Sequence, residues 1–82
     1  MSQAVTVHNY NPVGAPAGLD WRKSSRSNQQ HLDDSIGFAI EGDSIRIGIT
    51  TDESQVPLTA TRTKIRAMIE GAKAGEFDYL LD

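Results

Sequence analysis

Residues 35–50, Ser-Ile-Gly-Phe-Ala-Ile-Glu-Gly-Asp-Ser-Ile-Arg-Ile-Gly-Ile-Thr, constrain the fold of this chain more than any other stretch. Ile36, Phe38 and Ile40 alternate with small or polar residues, and so do Ile45, Ile47 and Ile49. A period of two puts such residues on one face of an extended strand. Between the two runs, Gly42-Asp43 suits a two-residue hairpin turn led by glycine. That turn sets Ile40 opposite Ile45, Phe38 opposite Ile47 and Ile36 opposite Ile49. All six large side chains then share one face. A slip of one residue would oppose apolar to polar groups along the ladder. The spacing therefore predicts a hairpin with this register.

The other face of the same hairpin is nearly bare. Gly37 lies across from Gly48, and Ala39 lies across from Arg46. Glycine inside a strand costs stability and offers nothing to pack. Two readings follow: a site of twist or bulge, or a place where another backbone or a flat partner surface comes close. The second would also suit a homodimer.

On either side of the hairpin the chain supplies less regular material. Residues 50–55 form a polar turn. Val56, Leu58 and Ala60 predict a further strand, and Pro57 marks it as an edge or a strand start. Thr61 is placed to cap a helix. Ile65, Met68, Ile69 and Ala72 follow at the spacing of one helical stripe. Lys73 suits the negative end of the helix dipole, and Gly75 suits the left-handed residue beyond it. Gly71 inside the helix suggests a close contact with the sheet. Phe77 reads as a staple for the helix end or, if exposed, as a binding anchor. Tyr79, Leu80 and Leu81 form an apolar tail that could fold back or be offered to a partner.

At the other end, residues 1–19 have no formal charge and contain Pro12, Pro16, Gly14 and Gly18. They read as a flexible leader, or as the source of an edge strand through Val5 and Val7. No basic start or continuous apolar stretch suggests a secretory signal. The domain is expected over residues 20–82, with a short strand near Trp21 and a polar loop to residue 35. Trp21 is expected to close one end of the sheet's apolar face. The resulting fold class is α+β: a small twisted antiparallel sheet of three or four strands packed on one C-terminal helix.

Several chemistries find little support in these 82 residues. Cysteine is absent, which removes disulfides, thiolate metal sites and thiol nucleophiles. His31 with Asp33 and Asp34 makes one weak metal-ligand cluster. Ser24, Ser25 and Ser27 lie beside Arg22, Lys23 and Arg26, without a base and orienting acid nearby. No glycine-rich phosphate loop occurs. No enzyme activity, metal or other cofactor is expected. No apolar run approaches the ~18 residues that span a bilayer, so no membrane role is expected. The net charge of −3, with Asp20, Asp33, Asp34, Asp52 and Glu53 among the acids, opposes nucleic-acid binding. No direct nucleic-acid binding is therefore expected. Arg62, Lys64, Arg66 and Lys73 on the helix keep a directly DNA-binding small regulator as the alternative.

Two end motifs carry a family likeness. One is Trp21-Arg22-Lys23-Ser24-Ser25-Arg26-Ser27; the other is Lys73-Ala74-Gly75-Glu76-Phe77-Asp78. With Val56-Pro57-Leu58 and Thr61 between them, the chain resembles the small actinobacterial proteins grouped as domain of unknown function 397. The likeness covers about residues 20–78. The middle departs from the family pattern. Asp34-Ser35 stands where an asparagine-cysteine pair is usual, and Gly48-Ile49-Thr50-Thr51 replaces an Arg-Asp-Ser-Lys run. The helix start reads Thr61-Arg62-Thr63-Lys64, with a base in place of the capping-box acid, and Ile65 replaces an aromatic residue. The resemblance implies a cytoplasmic, non-catalytic regulatory protein that binds a helix-turn-helix DNA-binding regulator, in an antitoxin-like or modulator-like pair. Candidate partner-binding residues are Gly37, Gly48 and Arg46 on the bare face. Arg62, Arg66 and Lys73 on the helix and Phe77 and Tyr79 in the tail complete the set.

Overall fold

The computed structural model describes residues 3–29 and 35–82. Five antiparallel strands form one sheet in sequence order: β1 (Val5–Thr6), β2 (Arg22–Lys23), β3 (Ile36–Glu41), β4 (Ser44–Ile49) and β5 (Leu58–Thr61). A single turn of helix, α1 (Arg26–Gln29), follows β2, and α2 (Arg62–Lys73) follows β5. The chain closes with a 3-10 turn over Asp78–Leu81. This is a small α+β fold, an antiparallel sheet packed against one C-terminal helix, with one strand more than the upper expectation.

The hairpin has the register expected from its alternation. Ile36 pairs with Ile49, Phe38 with Ile47 and Ile40 with Ile45, while Gly37 faces Gly48. Gly42 takes a φ of 59°, which places the positive backbone angle at the first turn position as a glycine-led turn requires.

The core lies on the face expected to be bare. Trp21 is 1 % exposed and Tyr10 4 %, and both rings rest on the strand glycines. Their centroids are 4.8 Å apart at an interplanar angle of 75°, the edge-to-face geometry that aromatic quadrupoles favour. A Cβ on Gly48 would overlap the Tyr10 hydroxyl and lie 3.5 Å from Trp21 Cη2. At Gly37 it would come within 2.7 Å of Thr50 Cγ2 and 3.5 Å of Trp21 Cε3. The glycines are thus a seat for two rings. The expectation that another backbone or a flat partner surface approaches here is corrected: the space over Gly37 and Gly48 is filled by Tyr10 and Trp21 of the chain itself.

The segment that brings Tyr10 there was expected to lie outside the domain. Residues 3–19 instead belong to the packed structure. Val5 and Thr6 pair with Lys23 and Arg22, which realises the edge-strand alternative. The Val7 amide donates to the Trp21 carbonyl at 2.8 Å, and the Val13 amide donates to the Glu53 carbonyl at 2.8 Å. Val7, Ala15 and Leu19 pack around the two rings. The absence of charge that made this stretch read as a leader is also what allows it to lie on a buried surface.

Helix α2 begins as its sequence suggests. The Thr61 hydroxyl accepts from the Lys64 amide at 3.2 Å. Replacing Thr61 with alanine should cost about 1 kcal/mol, read from the urea midpoint, with the sheet left intact. The helix ends in a Schellman motif. Gly75 has a φ of 78°, its amide donates to Ala72, and the Glu76 amide donates to Gly71. Gly71 marks a close contact with Phe77 and not with the sheet. A Cβ there would lie 3.2 Å from the Phe77 ring.

The helix covers only part of the isoleucine face. Thr61 is both the last residue of β5 and the cap of α2, so the helix must start at that edge of the sheet. A helix about 10 Å wide spans roughly two strands spaced about 4.8 Å apart. It shields Ile45, which is buried, and leaves Ile40 59 % exposed. The sheet packs on the C-terminal helix as expected, but the helix covers only the β4–β5 side of the isoleucine face. Trp21 is on the glycine face, not at an end of the isoleucine face.

Candidate protein-docking surface

The incomplete cover leaves an apolar cleft of about 580 Å³. Phe38, Ile40 and Ile45 form its floor, and Ile65, Met68 and Ile69 of α2 form one wall. Asp20 and Arg22 stand on the far side. The floor follows from strand alternation, and the wall follows from the helical stripe. Arg22 is placed there by β2, where its Cα partner is Phe38. Its Nε and Nη2 donate to the Asp20 carboxylate at 3.0 and 2.8 Å. That hydrogen bond, reinforced by the carboxylate's charge, raises the Arg22 pKa above its ordinary value.

The helix borders this cleft with cations. At about 100° per residue, Arg62, Arg66 and Lys73 fall within about 40° of one another, next to Ile69. Lys64 flanks the other side of the apolar stripe. All four are exposed, and Glu70 is the only acid in α2. The surface therefore combines a greasy trough with a positive rim. Such a surface can hold an apolar side-chain row with acidic flanks by desolvation and charge complementarity.

The candidate residues from the sequence separate into two groups. Gly37 and Gly48 are buried beneath Tyr10 and Trp21, so neither can receive a partner or the backbone of a second copy. Arg46 is also buried. Its Nη1 donates to Glu41 Oε1 at 2.8 Å, and its Nη2 donates to the carbonyls of Gly14 at 2.8 Å and Pro57 at 3.2 Å. It fastens three segments together, and the docking role expected for it is withdrawn. Arg62, Arg66 and Lys73 share one exposed helix face. Phe77 is partly covered by its contact with Gly71, whereas Tyr79 is largely exposed.

Sequence reasoning missed the Asp20–Arg22 pair and the opening beside Ile40. Helix width against sheet width was the available signal. It also missed Tyr10, for which two opposed strand glycines were the signal. Among the described residues no three metal-ligating side chains converge. His31, Asp33 and Asp34 lie outside the described residues. Among the described residues no helix is long and apolar enough to cross a membrane. Comparison with protein-family models, curated proteins and solved structures finds no match for this chain.

Proposed function

We infer that this chain is a non-catalytic interaction module that binds and modulates a helix-turn-helix DNA-binding regulator in the cytoplasm. The observation that carries the reading is the solvent-open cleft over Phe38, Ile40 and Ile45 with its basic border. Ile40 and Ile69 would recover burial against the apolar surface of a protein partner. The Trp21–Ser27 and Lys73–Asp78 motifs, which resemble a family of regulator partners, supply the class of partner. Binding would lay an apolar row of the regulator into the trough and set acidic residues beside Arg62, Arg66 and Lys73.

Copurification from the native host with a helix-turn-helix regulator, of the kind that the family resemblance implies as partner, tests the reading. Ile40→Glu places a charge at the mouth of the cleft on a side chain that is already exposed. It should leave thermal unfolding nearly unchanged and weaken capture of the regulator at least about tenfold. Undiminished capture would remove the cleft from the interface. The clustered cations also give the alternative its one specific support. If the protein alone shifted duplex DNA with a steep salt dependence, direct DNA binding would replace the present reading.

A further inference from the structure

The same chain that leaves a trough empty also leaves a matching ridge uncovered. Tyr79, Leu80 and Leu81 are 66, 67 and 90 % exposed. They sit on a formed 3-10 turn, in which the Leu80 amide donates to Phe77 at 3.1 Å and the Asp82 amide donates to Tyr79 at 3.3 Å. The turn is tied to α2 by the Schellman hydrogen bonds and by the Phe77 ring against Gly71. Its apolar groups are thus displayed in a set shape, which reduces the ordering cost of binding.

The two features complement each other in charge. Residues 76–82 carry Glu76, Asp78 and Asp82 and no base, whereas α2 presents four cations and one acid. The cleft volume of about 580 Å³ lies within the ~300–1,000 Å³ of pockets that enclose small ligands. A turn of three apolar side chains is an occupant of that scale. No tail residue lines the chain's own cleft.

We propose that the cleft of one copy receives the Tyr79-Leu80-Leu81 turn of a second copy, and that two such contacts form reciprocally in a twofold dimer. This stands apart from regulator binding, although a regulator using the same cleft would compete with the tail. Reciprocal docking is the closed solution for a self-complementary ridge and trough. Glu76, Asp78 and Asp82 would then face the Arg62, Arg66 and Lys73 border of the other copy.

Sedimentation of the protein alone tests this without any regulator. Wild type should move from the 8.9 kDa monomer to a species of twice that mass as concentration rises to about 500 µM. Leu80→Asp removes the ridge, and Ile40→Glu spoils the trough. Each should weaken self-association at least about tenfold while leaving circular dichroism and melting unchanged. Arg66→Glu, away from the apolar contact, should weaken it as well. An equimolar mixture of Leu80→Asp and Ile40→Glu keeps one of the two contacts, the ridge of the second in the trough of the first, so it should associate more tightly than either variant alone and less tightly than wild type. A wild-type monomer throughout the concentration range would overturn the proposal. So would variants that dimerise like wild type, or a mixture that associates no more than either variant alone. Leu80→Asp should still capture the regulator, so loss of the dimer and loss of regulator binding are separately visible.

Discussion

Gly48→Ala should destabilise the protein by about 1–3 kcal/mol, the range for forcing extra atoms into a well-packed core. The sign is opposite to the usual one. In a strand interior, alanine ordinarily gains about 0.5–1 kcal/mol over glycine by restricting the unfolded chain. Here the added methyl overlaps the Tyr10 hydroxyl, and the ring cannot retreat freely because Trp21 packs edge-on against it. Urea unfolding followed by the fluorescence of Trp21, the only tryptophan, measures the loss. Among the described residues the Tyr10 hydroxyl has no hydrogen-bond partner. Tyr10→Phe alone should therefore be close to neutral, and in that background Gly48→Ala should lose less than half as much stability. Independent costs in the double variant would rule out the ring-on-glycine contact as the cause.

The same hydroxyl gives this variant a pH signature. Burial, and then the negative charges of Asp52 and Glu53, raise the Tyr10 pKa above its ordinary value of about 10. The folded state thus holds this proton more tightly than the unfolded state does. Its contribution is fully present below pH ~10 and declines as pH rises from there through the folded value. Tyr10→Phe should remove that alkaline slope.

Arg46→Ala should cost a further large amount, about 2–4 kcal/mol, from orphaned hydrogen-bond groups and lost packing. The guanidinium bridges Glu41 to the carbonyls of Gly14 and Pro57, so the N-terminal segment, the hairpin and the entry to β5 share one side chain. Two effects compete. Breaking a fully buried ion pair costs about 3–5 kcal/mol, but the Glu41 side chain is 38 % exposed and can rehydrate. The remaining loss falls on the two carbonyls. Arg46→Lys should recover less than half of it, because one ammonium on a flexible stem cannot reproduce the forked geometry. Hydrogen exchange should locate the damage. In Arg46→Ala the Val7 and Val13 amides should exchange faster before the β3–β4 ladder does. Uniform acceleration would argue against a fastener.

Local features were legible because local physics decides them. The β3–β4 register follows from six alternating side chains and a glycine-led turn. Both ends of α2 follow from one threonine and one glycine. The choice of core face was not legible, since alternation shows which face is apolar without showing which is covered. Gly37 and Gly48 carry no apolar signal of their own; of the rings that bury them, Tyr10 lies in an uncharged stretch resembling a leader, and Trp21 was expected on the other face. Arg46 reads as a surface cation until its three acceptors meet. Of the candidate docking residues, those on the exposed face of α2 could be placed by helical spacing. The cleft beside them depends on how far one helix reaches across five strands, a property of assembled layers.

The seating of Tyr10 and Trp21 on Gly37 and Gly48 also orders events in time. During synthesis from the N-terminus, both rings leave the ribosome before the glycines that house them. Until β4 has emerged, the nascent chain holds two bulky aromatics with no berth, and a chaperone or a neighbouring chain can claim them first.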